Sequence, residues 1–199
     1  MNPERVARKR EQIALTAGRL FATKGFEATS VADIAAAVGV SQGTIFYYFT
    51  DKPAVFRAIF ERDLPAAQQL IALHHDAPRA LPAILEVLSE LARDAADPSA
   101  SGLVVELLRR IEHDPELLDV VRRTEEVITI GLSELITRGI AEGDIDPSLD
   151  PFEAAKWLQA IVDAVYLNAR PDHSPVKDLR RTALGYLTRP HRSGEPADV

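Results

Sequence analysis

Apolar residues along this chain recur at helical spacing almost from end to end. Ile13, Ala17, Leu20 and Phe21 fall at i, i+4, i+7 and i+8, one face of a helix that stops near Lys24-Gly25. A second stripe, Val31-Ile34-Ala35-Val38, follows Ser30, and Asp33 three residues on gives the spacing of a capping box. A third, short helix is predicted from Ser41 to about Tyr47. Thr50-Asp51-Lys52-Pro53 reads as a cap with proline in the first turn, opening a helix with the stripe Val55-Phe56-Ile59-Phe60-Leu64. Five further stripes run through Leu81–Leu91, Val104–Ile111, Leu117–Ile136, Phe152–Val165 and Val176–Leu187. Breaks fall at Asp76-Ala77-Pro78, Asp97-Pro98-Ser99, Asp114-Pro115, Gly143 to Pro151, and Arg170-Pro171. With no alternating apolar run and no hairpin turn, the pattern predicts an all-α protein of about nine helices. Pro65 directly follows Leu64 in the helix that this fourth stripe predicts, where loss of an amide and a clash with the Glu61 carbonyl predict a kink or a break.

Composition narrows the chemistry. The 199 residues are 46% hydrophobic and 27% charged, enough for a substantial core without staples. There is no cysteine, which excludes thiol nucleophiles, cysteine-ligated zinc and iron–sulfur clusters. No apolar run approaches the ~18 residues of a membrane span, and the basic start leads into no apolar signal segment, so a soluble cytoplasmic protein is expected. The net charge of −7 is unevenly spread. Residues 1–62 hold nine Lys/Arg against six Asp/Glu, net +3, whereas residues 63–199 hold 14 against 24, net −10. A small basic segment ahead of a larger acidic one suggests a nucleic-acid-facing module joined to something else. The tail from Pro190 is poor in apolar residues and is expected to be disordered.

Residues 31–49, VADIAAAVGVSQGTIFYYF, carry the candidate chemistry. Two short helices joined by a tight turn need a small residue at the crossing, glycine in the turn and a branched apolar anchor. Ala35, Gly39 and Ile45 supply these, as in a helix-turn-helix. The first turn of the second helix then offers Ser41, Gln42, Gly43 and Thr44 to base edges: an amide for adenine, a methyl or hydroxyl for thymine or phosphate, and a glycine permitting close approach. In the following run, Phe46 and Phe49 are expected to pack inward, and Tyr47 and Tyr48 to face outward within reach of phosphates. Thr29, Ser30 and Lys52 lie near helix N-termini, where phosphate is favoured, and Arg5, Arg8, Lys9 and Arg10 could form a basic arm.

Residues 10–60 resemble the DNA-binding domain of the TetR family of transcriptional regulators. The matching pieces are Ile13-Ala14 through Leu20-Phe21, Gly25-Phe26, Thr29 to Ala35, Gly39-Val40-Ser41, Gly43 to Phe49, and Lys52. Three positions depart from the family pattern: Phe46 stands where tyrosine is usual, Tyr48 where histidine is common and Pro53 where glutamate is common. The resemblance implies residues 1–51 as the helix-turn-helix DNA-binding domain and 52–189 as a helical ligand-binding and dimerisation domain, with 190–199 as tail. It implies DNA contacts at Thr29, Ser30, Ser41, Gln42, Gly43, Thr44, Phe46, Tyr47, Tyr48 and Lys52. It places a dimer interface at Phe152, Trp157, Leu158, Ile161, Val165, Leu179, Leu184 and Leu187, and puts Phe60, Leu85, Leu88, Leu107, Arg110, Ile128 and Tyr166 among plausible pocket-lining residues. The implied function is a homodimeric repressor that binds a pseudo-palindromic operator in double-stranded DNA and answers to an unidentified small molecule.

Two other readings stay open on the sequence: a DNA-binding regulator without an inducer, and a small-molecule carrier or enzyme with a vestigial helix-turn-helix. No Ser-His-Asp set, glycine-rich phosphate loop or HExxH motif supports catalysis, and no cofactor is expected. His74-His75-Asp76 and Glu112-His113-Asp114 place neighbouring side chains about 100° apart, so no metal site is expected either.

Overall fold

The computed structural model describes residues 3–97, 99–168 and 174–188. Among them are ten α-helices, one 3-10 turn and no strand. The helices are α1 (Pro3–Lys24), α2 (Val31–Val38), α3 (Gln42–Tyr48), α4 (Lys52–Phe60), α5 (Asp63–His75), α6 (Ala80–Leu91), α7 (Ala100–Ile111), α8 (Pro115–Ala141), α9 (Pro151–Leu167) and α10 (Val176–Leu187), with the 3-10 turn at Arg93–Ala96 between α6 and α7. The tail assigned to 190–199 lies outside the described residues.

The helix beyond the expected nine comes from Pro65. The fourth stripe, taken to run through Leu64, ends at Phe60, and a separate α5 starts at Asp63. Pro65 then sits in the first turn of α5, where a missing amide costs no helical hydrogen bond. No side chain caps α5. The break is the resolution of the proline conflict.

Elsewhere the ends are set by the residues the sequence marks for them. Ser30 Oγ accepts from the Asp33 amide while Asp33 Oδ2 accepts from the Ser30 amide at 2.8 Å, a complete capping box. Those Ser30 bonds and Lys24 hold the Asp33 carboxyl down at about 2, so the box stays charged. Asp51 Oδ1 accepts from the Ala54 amide, with Pro53 in the first turn of α4. Gly25 and Gly39 take φ of 84° and 74°, the left-handed conformation that ends α1 and turns α2 into α3 without the penalty a side chain would bring.

Two apolar clusters result. The first joins α1 to α4: Ile13, Phe21, Ile34, Ile45, Phe49, Val55, Phe56 and Phe60 are buried together, with Leu103 and Leu107 of α7 and Leu117, Val120 and Val121 of α8 against them. Its centre is aromatic. Phe21 stacks on Phe26 at 5.2 Å, and Phe56 meets both rings edge-on at 5.3 and 5.4 Å. The second cluster is almost wholly aliphatic, formed by Ala67, Ile84, Leu88, Leu132, Ile136, Leu158, Leu179 and Leu187. Helix α4 therefore packs with the first cluster and α5 with the second, and the break at Glu61-Arg62 lies between them. Among the described residues no helix is long and apolar enough to cross a membrane.

Candidate nucleic-acid interface

Helix α3 is held by one side and presents the other. Ile45 is buried beneath it, and Phe49 just beyond its end packs into the first cluster. Ser41 caps its start: Oγ accepts from the Thr44 amide at 3.1 Å and lies 2.9 Å from Thr44 Oγ1. At its end, the Arg10 guanidinium donates to the Tyr48 carbonyl, lies 4.4 Å from the Phe49 ring centre and pairs with Glu61 at 3.5 Å. These ties fix the axis and rotation of α3, leaving Gln42, Gly43, Phe46 and Tyr47 exposed. The helix itself, QGTIFYY, carries no charge.

Four sequence expectations change here. Phe46, expected inside, is 52% exposed, because only one residue in four can face the core under so short a helix, and Ile45 occupies that place. Tyr47 is exposed as expected and meets Tyr48 edge-on at 4.9 Å, but Tyr48 is half-buried. Thr29 is fully buried, its hydroxyl donating to the Gly25 carbonyl at 2.7 Å, so it is not presented to a phosphate. Lys52 is equally committed inward: Nζ donates to the carbonyls of Phe26 at 2.7 Å and Thr29 at 3.0 Å, and lies 4.2 Å from the Phe26 ring centre. Ser30 is exposed but engaged with Asp33. The basic start is no free arm, since α1 begins at Pro3; Arg10 is bound as described, and Arg5 and Arg8 remain exposed on the helix.

The residues suggested for a pocket are not brought together. Phe60, Leu107 and Arg110 belong to the first cluster, where the Arg110 guanidinium carbon lies 3.4 Å from the Phe26 ring centre. Leu85, Leu88 and Ile128 are buried in the second, with Tyr166 against them, its hydroxyl donating to the Leu91 carbonyl at 2.8 Å. Around that tyrosine the sequence reading missed a set of carboxylates. Burial and Asp94 push Asp63 up to about 6, burial and Asp163 raise Glu125, and burial followed by Asp94, Asp63 and Asp163 pushes the Tyr166 phenol to about 12. Nothing in the helical periodicity marks these acids, which lie 31 to 100 residues apart.

The dimer residues divide by rotation about their helices. Leu158, Leu179 and Leu187 are buried in their own chain's core, and Ile161 and Val165 are half-buried against it. Phe152, Trp157 and Leu184 are exposed. Beside Trp157 runs an open groove lined also by Glu153, Lys156, Ala160 and Tyr186, continuing over Thr182 and Gly185. An apolar stripe identifies the face a helix buries at home; large apolar residues off the stripe mark a second face. Among the described residues no group of three His, Asp or Glu side chains could hold a metal ion, and His75 pairs with Asp76 at 2.8 Å.

Known proteins fit this geometry. Residues 13–59, from the middle of α1 to the end of α4, match the model of the bacterial regulatory proteins of the tetR family. Over 186 residues the chain is 26% identical to the uncharacterised HTH-type transcriptional regulator YfiR of Bacillus subtilis, covering 90% of both chains. It is 25% identical over 157 residues to the HTH-type transcriptional repressor ComR of Escherichia coli, covering 76% of this chain and 75% of that one. The crystal structure of AibR in complex with isovaleryl coenzyme A and operator DNA superimposes with a TM-score of 0.72 at 17% identity, covering 92% of this chain and 99% of that one, which shows a shared fold. With its capped, outward-facing α3 on a buried Ile45 anchor, the segment 13–59 is a DNA-binding domain of the tetR-family kind, and the chain is a DNA-binding transcriptional regulator.

Proposed function

We propose that the protein acts in the cytoplasm as a homodimeric, effector-responsive repressor of a pseudo-palindromic operator. The observation that carries this reading is the presentation of Gln42, Gly43, Phe46 and Tyr47 on an uncharged helix locked from behind by Ile45 and Arg10. Such a helix suits the major groove, with Gln42 on an adenine edge and the Phe46 ring against a thymine methyl. Seven residues read only a few base pairs, so recognition of one genomic site needs two copies. Phe152, Trp157 and Leu184, with the groove beside them, are the face proposed for the partner copy. An effector is proposed to enter the second cluster near Leu85, Leu88, Ile128 and Tyr166, and to act by favouring the arrangement that fits the operator less well. Repression is favoured by ComR, a repressor, and effector control by AibR, whose structure holds both an acyl coenzyme A and operator DNA.

Selection of bound duplexes from a random pool by the full-length protein tests the reading. The expected product is an inverted repeat whose half-site centres lie about 34–36 Å apart or a multiple of that. Recovery of no motif overturns DNA recognition, and recovery of a single asymmetric half-site overturns the dimer. Trp157→Glu should convert the protein to monomers in sedimentation and abolish binding to the selected repeat.

A further inference from the structure

The loop Gly25–Thr29 between α1 and α2 is gripped from two directions. On the reader's side, Lys52 at the start of α4 binds the Phe26 and Thr29 carbonyls. On the other, α7 reaches back across about eighty residues. Glu106, only 7% exposed, accepts the Phe26 amide through Oε2 at 3.0 Å, while its Oε1 accepts from Arg109 at 2.8 Å. One turn on, the Arg110 guanidinium lies on the Phe26 ring face and Nη1 is 3.4 Å from Glu27 Oε1. The backbones also touch: a Cβ at Gly102 would stand 2.3 Å from the Ala22 carbonyl oxygen, so only glycine lets α7 lie this close to α1.

The covalent route from α4 into α5 is a weak mechanical link. It is interrupted at Glu61-Arg62, and α5 starts without a side-chain cap. Arg57 of α4 pairs with Asp114 and Glu116 at 2.9 and 3.0 Å at the start of α8, a continuous helix that begins in the reader's cluster and ends in the second. Helix α7 is a second bridge, packing on α1 and also on the 3-10 turn and α9, and its Glu106 and Arg110 hold the α1–α2 loop itself. A buried carboxylate accepting a backbone amide has one good geometry, and losing it leaves both groups unsatisfied.

We propose that Glu106 is a positioning residue that sets the stance of α3 relative to the rest of the chain by holding the Phe26 amide, making α7 a connection through which the body governs the reader. This rests on the DNA-binding reading above. In the dimer, the stance fixes the distance between two α3 helices, so the device is read out as preference for one half-site spacing.

The test uses full-length protein and a set of duplexes carrying the selected repeat with its half-sites moved apart or together by one or two base pairs. Wild type should show a sharp optimum. Glu106→Ala should bind off-spacing duplexes with a penalty reduced by about tenfold, the worth of one charge-assisted hydrogen bond. Glu106→Gln keeps an acceptor for the Phe26 amide and should restore the sharp optimum. A uniform loss of affinity with the spacing profile unchanged overturns the proposal, as does a wild-type protein indifferent to spacing. If Glu106→Ala does not remain folded, Arg110→Met, which lifts the cation from Phe26 and frees Glu27, is expected to blunt the optimum in the same measurement, and an unchanged profile there overturns the proposal too. Failure of wild type to select any DNA would instead remove the underlying reading.

Discussion

The two clusters of this molecule are made of different materials. The one beneath the DNA-facing surface is built on interlocked rings, Phe21, Phe26 and Phe56, with Phe60 at 5.4 Å from Phe56, and short helices capped by Ser30, Ser41 and Asp51. The other is aliphatic, and its helices α5 and α10 start without side-chain caps. Rings in edge-on contact and capped ends admit few alternative arrangements. Leucine and alanine surfaces fill space with less directional demand, so the rearrangement proposed for effector entry is better built from them.

The sharpest way to break this comparison is to cut a hole in each cluster. Phe56→Ala should cost about 3–5 kcal/mol and Leu132→Ala about 2–5 kcal/mol. Because α7 and the start of α8 pack into the first cluster, both variants are expected to melt in one transition by calorimetry. Two separated transitions would mean that the clusters fold independently.

A second comparison separates reading from holding. The Gln42 side chain is exposed on the first turn of α3, so Gln42→Ala should leave the melting temperature unchanged and relax selectivity at one base pair by about 1–3 kcal/mol. Lys52→Ala removes a donor from the Phe26 and Thr29 carbonyls, and should lower the melting temperature and weaken binding to all sequences alike. Melting curves and binding to single-base operator variants distinguish the two.

The smallest effect concerns the body alone. The Asp63 side chain keeps an exposed edge, yet the atoms packed around its carboxyl, with Asp94 nearby, raise it from 3.8 to about 6. An acid raised on folding favours the native state while protonated, so its contribution is present below about pH 4 and is lost as the pH climbs through about 6. Asp63→Asn should therefore remove a decline in stability between those values and stabilise the protein slightly at pH 7. Denaturation midpoints at pH 4.5 and 7 check the sign.

How much the sequence revealed follows the same division. The reader was legible because its boundaries carry marked residues: Ser30 with Asp33, Gly39, Ser41, and Asp51 with Pro53 each determine a local conformation. Helix α5 is marked in the sequence only by Pro65, which predicts a kink or a break without choosing between them; DLPAAQQLIALHH has a weak apolar stripe and no cap, and the separated helix docks on α8. Within the site, Gln42, Gly43 and Tyr47 could be assigned to the surface by their place on a short helix. Lys52 could not be assigned inward, because the carbonyls it binds come from a loop 23 to 26 residues earlier. Trp157 and Leu158 are assigned alike from the sequence, yet Trp157 is exposed and Leu158 is buried; one residue's step is 100° of rotation, and the choice between faces is made by which neighbours dock.

The absence of charge on α3 has a further consequence. Any attraction to phosphates must come from cations flanking it, such as Arg5 and Arg8, whereas discrimination between bases rests on uncharged groups. Raising ionic strength should then thin out occupancy on every duplex by a similar factor, leaving the ranking of sequences intact.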